Sequence, residues 1–242
     1  MSGGRLQRGY NRRVKLFGAL HLGLLAAVAV IAWLLVRRCR RSPAARRPIR
    51  LALGIGLIAN ELVWWWFRYS HEGVHLWNLP LQLSDVTLWM TAFACLTLAP
   101  WLVEFAYFAG LAGASMALLT PDLWEPWPKY PAIYFFVAHG GIVVGMSVLV
   151  FGGIAPLRRG AVWRAFGTLL AYAALVGAFN AVTHANYMYL CRKPASASLL
   201  TVMGPWPVYL FGGAAAALGL FWLLWLPARP RGREISRDPG RN

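Results

Sequence analysis

IYFFVAHGGIVVGMSVLVFG, residues 133–152, is a run of twenty residues with no charged side chain and one histidine, His139. It lacks the alternation of a half-buried strand. Its length matches the roughly 20 residues that an α-helix needs to cross a hydrocarbon core about 30 Å thick. Lipid offers unpaired backbone groups no partner, so a spanning segment is a helix or part of a closed barrel, and the continuous apolar pattern selects the helix. Working outward, stretches of the same kind fall at 17–36, 49–68, 79–98, 102–120, 163–182 and 206–226. Hydrophobic residues make up 59 % of the 242-residue chain and charged residues 13 %, where a water-soluble domain carries about a quarter. The predicted fold is all-α, a polytopic transmembrane bundle of about seven spans, with six or eight as the neighbouring counts. It forms one transmembrane domain over residues 17–226, between a basic N-terminal tail (1–16) and a basic, Pro/Gly-broken C-terminal tail (227–242) predicted to be disordered and lipid-touching.

The net charge of +16 does not point to nucleic acid, because the Lys and Arg residues sit in tails and loops, where they orient the chain and meet lipid headgroups. With the N-terminus outside, 15 of the 24 lie on the cytoplasmic side and 9 on the outer side. The positive-inside rule therefore predicts N-out and C-in in the cell (inner) membrane, with membrane lipids as partners. The first apolar run is too long for a signal peptide, and no small-residue cleavage site ends it. Cys39, Cys95 and Cys191 are odd in number and scattered, so neither a disulfide framework nor a zinc cluster is predicted from them. No Walker loop, dinucleotide fingerprint or internal repeat is present, and no cofactor is expected. Nothing in the residues sets an oligomeric state. Tryptophans at the span ends, Trp64 to Trp66, Trp77, Trp101, Trp124, Trp127 and Trp206 among them, read as anchors at the headgroup boundary. Gly141-x3-Gly145 and Gly110-x2-Gly113 read as close helix packing.

The polar residues are unevenly placed. The face carrying loops 2–3, 4–5 and 6–7 collects Arg68, His71, Glu72, His75, Gln82, Ser84, Asp85, Asp122, His184 and Asn186, and within the spans Asn60, Glu61, His139 and Asn180 lie toward it. Polar groups inside a membrane are costly and usually face the bundle interior, so a polar cavity opening on that face is predicted. Ser84 lies roughly 7–8 Å into span 3 and His139 roughly 9 Å into span 5, at 1.5 Å per residue. They have the residue types of a nucleophile and its base, with Asp85 or Glu61 to orient the imidazole. Spacing alone reads more plainly as a small packing serine and a hydrogen-bonded interior histidine. Gln82, Asn180, His184, Asn186 and Tyr187 are candidates for binding a headgroup or stabilising an oxyanion. His71-Glu72-Gly73-Val74-His75 matches H-E-x-x-H, which on a helix sets two zinc ligands one turn apart beside a glutamate. Here it falls in a short connection closed by Pro80 and weakened by Gly73, where an interfacial loop with solvated histidines is the plainer reading.

Four segments together resemble the YwaF family of bacterial multi-pass membrane proteins. They are Leu79-Pro80-Leu81-Gln82-Leu83-Ser84-Asp85; Glu104 to Phe108 running on to Leu118-Leu119-Thr120-Pro121-Asp122; Phe135-Phe136-Val137-Ala138-His139-Gly140; and Asn186 to Leu190 through Lys193-Pro194 to Gly204-Pro205-Trp206-Pro207. The likeness spans about residues 50–226. It implies a distant relation to animal membrane proteins proposed to move acyl chains between phospholipids. In such relatives the nucleophile would be a Cys in an L-P-x-x-L-C segment, paired with a span-5 His. Those positions match Ser84 and His139, and where the family pattern often has His this chain has Gln82.

The expected function is that of a lipid acyl transferase or ester hydrolase in which Ser84 attacks and His139 carries the proton. Two alternatives stand beside it: a zinc-dependent membrane hydrolase using His71, Glu72 and His75, and a binding or transport protein without catalysis.

Overall fold

The computed structural model describes residues 14–123, 125–193 and 202–229. Most of both basic tails, and Trp124, lie outside the described residues. Within them every regular element is helical: α1 (Ala19–Arg41), α2 (Pro43–Glu72), α3 (Leu83–Thr97), α4 (Pro100–Leu119), α5 (Tyr130–Phe151), α6 (Ala161–Thr183) and α7 (Val208–Ala228). Five of these, α1 and α4 to α7, are long and apolar enough to cross a membrane. The apolar α3 is shorter, and α2 is 30 residues long but opens on arginines and carries Glu61.

The helices stand where the seven apolar stretches lie, with shifted ends. Ser42 alone separates α1 from α2, so α2 begins at Pro43 rather than near residue 49. Pro43 fits there because its missing N–H is unpaired at a helix start anyway. In contrast α3 begins later, at Leu83. Gln82 is its N-cap, and the Gln82 and Asp85 side chains each accept the other's backbone N–H in a capping box. Ser84 therefore sits in the first turn, not five residues deep. His139 is nine residues beyond Tyr130, about 13 Å along α5. Both residues nonetheless line one cavity, described below.

The central helix is α5. It packs on α1, α2, α3 and α4, and three glycines permit this. A Cβ at Gly140 would stand 2.9 Å from Val28 of α1, one at Gly141 2.6 Å from Leu57 of α2, and one at Gly145 2.9 Å from Thr91 of α3. The predicted Gly141/Gly145 packing face is thus real and serves two different neighbours. In α4 a π-turn over Ala106–Gly110 interrupts the helix. All five of its residues are buried, and the Tyr107 hydroxyl donates to the Leu224 carbonyl of α7 at 2.9 Å.

The face away from the predicted cavity is tied by arginines. Glu104, its side chain 3 % exposed, accepts from both Arg158 and Arg164, with four N–H···O contacts of 2.7–3.0 Å. Arg50 donates to the carbonyls of Cys95 and Leu96 at 2.6 and 2.8 Å, and Arg40 to that of Phe151 at 2.6 Å. These are carbonyls at helix C-termini, which no intrahelical donor reaches. On the opposite face, the fully buried His21 of α1 accepts from the Phe17 N–H through Nδ1. Its Nε2 therefore carries the proton and donates to the Leu118 carbonyl at the end of α4, at 2.7 Å.

Candidate functional site

A cavity of about 510 Å³ opens among α2, α3, α4, α5 and the loop after α6. Ser84, Asp85, Thr87 and Leu88 of α3 form one wall. Pro131, Tyr134, Phe135, Ala138, His139 and Ile142 form another, at the three- and four-residue spacing of one face of α5. That face runs roughly 16 Å along the helix. Gly113, Ala114 and Ala117 line the α4 side, Trp64 and Arg68 the α2 side, and Trp77, Leu79, Gln82, Asp122 and Tyr187 to Tyr189 the mouth. Polar side chains gather at the mouth, while Leu88, Ala114, Ala138 and Ile142 make the inner end apolar.

Ser84 and His139 share this chamber on facing walls. His139 Nδ1 lies 2.8 Å from the Phe135 carbonyl. A carbonyl only accepts, so Nδ1 is the protonated nitrogen, and in the neutral ring Nε2 is an acceptor. No hydrogen bond joins the serine hydroxyl to the ring among the described residues. The imidazole is oriented by a backbone carbonyl of its own helix, not by a carboxylate. Asp85 Oδ2 accepts from the Gln82 N–H at 3.1 Å. Glu61, fully buried, accepts from the Tyr134 hydroxyl at 2.7 Å. Tyr134 stacks on Trp64 with ring centroids 4.2 Å apart, so Glu61 reaches the cavity through a wall residue.

The remaining predicted residues build the mouth. Gln82 accepts from the Met188 N–H at 2.9 Å. Buried Asn180, outside the cavity lining, donates to the Tyr187 carbonyl and accepts from the Tyr187 N–H, both at 3.0 Å. The Tyr187 hydroxyl accepts from the Leu79 N–H at 2.6 Å and donates to the Leu76 carbonyl at 2.9 Å. Burial pushes its pKa above the ordinary tyrosine value, which keeps it a donor. Tyr172 and Tyr209 donate to the carbonyls of Leu81 and Tyr189. Met188 and Tyr189 take left-handed φ values of 56° and 54°, a costly conformation for residues with a Cβ. Asn186 instead turns its side chain onto the Cys191 N–H, the Arg192 N–H and the Arg192 carbonyl. His184 is the exposed C-cap of α6. Neither lines the cavity.

The H-E-x-x-H segment is divided by the end of α2. Glu72 is the last helical residue, and Gly73 follows at φ 71°. His71 donates to the Phe67 carbonyl, His75 turns back onto the Glu72 carbonyl, and Glu72 pairs with Arg68 at 3.2 Å. The two histidines are therefore not on successive turns of one helix. Among the described residues no third His, Cys, Asp or Glu joins them.

Extending the helical face from His139 backward leads to Tyr134, and counting two turns on from Glu61 leads to Arg68. Both line the cavity; Arg68 stood among the polar residues of that face without an assigned role, and Tyr134 was not named. The sequence profile of the TMEM164 family matches residues 16–226, from just before α1 to the last turn of α7. The chain belongs to the TMEM164 family. No curated protein and no solved structure matches it. This TMEM164-family membrane protein places the cavity in the half of the bundle where the polar span residues gather, and its Glu104–arginine cluster in the other.

Proposed function

We propose that this protein transfers or hydrolyses lipid acyl esters, with Ser84 as nucleophile and His139 as base. The observation that carries the reading is the shared chamber, in which His139 keeps Nε2 as an acceptor while Phe135 engages Nδ1. Serine is a poor nucleophile until a base takes its proton. Ser84 Oγ attacks the ester carbonyl as its proton passes to His139 Nε2. The departing alcohol takes that proton, leaving an acyl-serine ester. A second lipid hydroxyl, or water, then cleaves this ester, and its proton returns through His139 to Ser84. Serine and histidine close this hydrogen bond on binding, since catalytic contacts in empty sites are often long. Arg68, paired with Glu72 at 3.2 Å, brings to the α2 side of the chamber a guanidinium suited to a phosphate. Asp85, Glu61, Gln82, Asn180 and Tyr187 hold the walls and loops in place.

The polarity of the chamber supports a lipid. Its polar mouth and apolar inner end match a lipid that keeps its headgroup at the interface and its chain inward. A bacterial inner membrane, with the N-terminus outside, belongs to the same reading through the YwaF resemblance and the charge distribution.

The test is acyl turnover by purified protein in phospholipid vesicles carrying a labelled acyl chain. Ser84→Ala and His139→Ala should each lower turnover by at least about 10³-fold with unchanged helix content. Full turnover in both variants overturns the mechanism.

A further inference from the structure

The cavity has one position where a missing side chain leaves room. At Gly113 of α4 an added Cβ would meet nothing within 4 Å, although the residue lines the chamber. One turn earlier the situation reverses. A Cβ at Gly110 would stand 3.2 Å from Ile142 of α5 and 3.2 Å from Thr87 of α3, so the three helices close together there. Thr87 and Ile142 are also cavity-lining and form its floor. Gly113, exposed on α4, thus borders an open part of the chamber, and Leu88, Ala114, Ala138 and Ile142, which also line it, pack together as one buried apolar cluster.

We propose that Gly113 sets which acyl chain the chamber admits: the methylene chain of the bound lipid lies in the space left by its absent side chain, above the floor made by Thr87 and Ile142. This rests on the acyl-ester reading above for the chemical class of the ligand. It adds a residue that selects among chains without touching the reacting ester. The physical basis is steric. A long chain must pass Gly113 to reach the floor, whereas a short chain ends above it. A leucine introduced there projects into empty space, so it takes chain volume without displacing a neighbouring helix.

The experiment measures binding, apart from turnover. A fluorescent polyene fatty acid is bound to the detergent-solubilised full chain and displaced by octanoate or by oleate, for the native protein, Gly113→Leu and Gly113→Ala. Gly219→Leu of α7 is the control, since a Cβ there also meets nothing within 4 Å and the residue is outside the cavity lining. The expected result is that Gly113→Leu weakens displacement by oleate about tenfold or more and leaves octanoate unchanged. Gly113→Ala should fall between, and the control should match the native protein. Unchanged oleate displacement in Gly113→Leu overturns the proposal, as does equal weakening for both acids. Should Gly113→Leu fail to fold, Gly113→Ala decides by the same ratio. The catalytic reading fails separately, through turnover retained by Ser84→Ala and His139→Ala, whatever the chain-length ratio does.

Discussion

Ser84 shows how much hangs on one atom. The resemblance implies a cysteine at its position, and the cavity wall presents a hydroxyl in place of a thiol. Ser84→Cys in a Cys191→Ser background should retain acyl turnover and become sensitive to thiol alkylation, because the thiolate is the stronger nucleophile and the base is unchanged. Exposed Cys191 is removed first, since it would react on its own, whereas Cys39 and Cys95 are buried. A Ser84→Cys variant as inactive as Ser84→Ala would count against nucleophilic attack from this position. The residue types of this pair, and their place on one membrane face, are legible in the amino-acid sequence. The orienting group is not. The sequence points to a carboxylate, and the Phe135 carbonyl holds the ring instead, because a histidine inside a helix finds the carbonyl one turn back without any tertiary partner. Sequence patterns advertise side chains and are silent about such backbone acceptors.

Helix α5 illustrates how small residues place a site. Gly141 faces Leu57 and Gly145 faces Thr91. The contact at Gly141 is the shorter, but Leu57 meets it with a terminal methyl on a flexible side chain, whereas Thr91 is β-branched and stiff within its helix. Gly145→Ala is therefore expected to cost more stability than Gly141→Ala, about 1–3 kcal/mol for overpacking. Thermal unfolding in detergent would check the order, and the reverse order would refute the argument. The pattern is readable in the chain as a packing motif, yet not which neighbour each glycine admits. The starts of α2 and α3 also differ from those that the apolar runs predict. Gln82 and Asp85 form a capping box, a local signal present in the chain, but Pro80 is the more conspicuous start signal and lies upstream of it. The residues just before the box, Leu79 to Leu81, are held from across the bundle by Tyr187 and Tyr172. The H-E-x-x-H segment likewise depends on the helix ending at Glu72.

Across the molecule, the polar chamber and the Glu104 cluster lie at opposite ends of the bundle, so function and stability should separate. Removing Glu104 leaves Arg158 and Arg164 without their shared acceptor and loosens α4 from α6 and the loop before it. Glu104→Ala is expected to lower stability by about 1.5–3 kcal/mol, the range for hydrogen bonds to charged groups. It should leave binding of the fluorescent fatty acid intact at temperatures where the protein is folded. Lost fatty-acid binding in a folded Glu104→Ala variant would show that the two ends are coupled. Composition alone settled the solvent and the helical class. With so few charges and such long apolar runs, backbone polarity had to be satisfied within each segment. The alternation of spans and loops likewise put the polar residues on one face, because that order is read directly along the chain. Which of them converge on a hollow, which brace a loop, and where Gly113 leaves space depend on how the helices rotate and approach one another. Those rotations follow from contacts between residues far apart in the chain, and only the folded arrangement contains them.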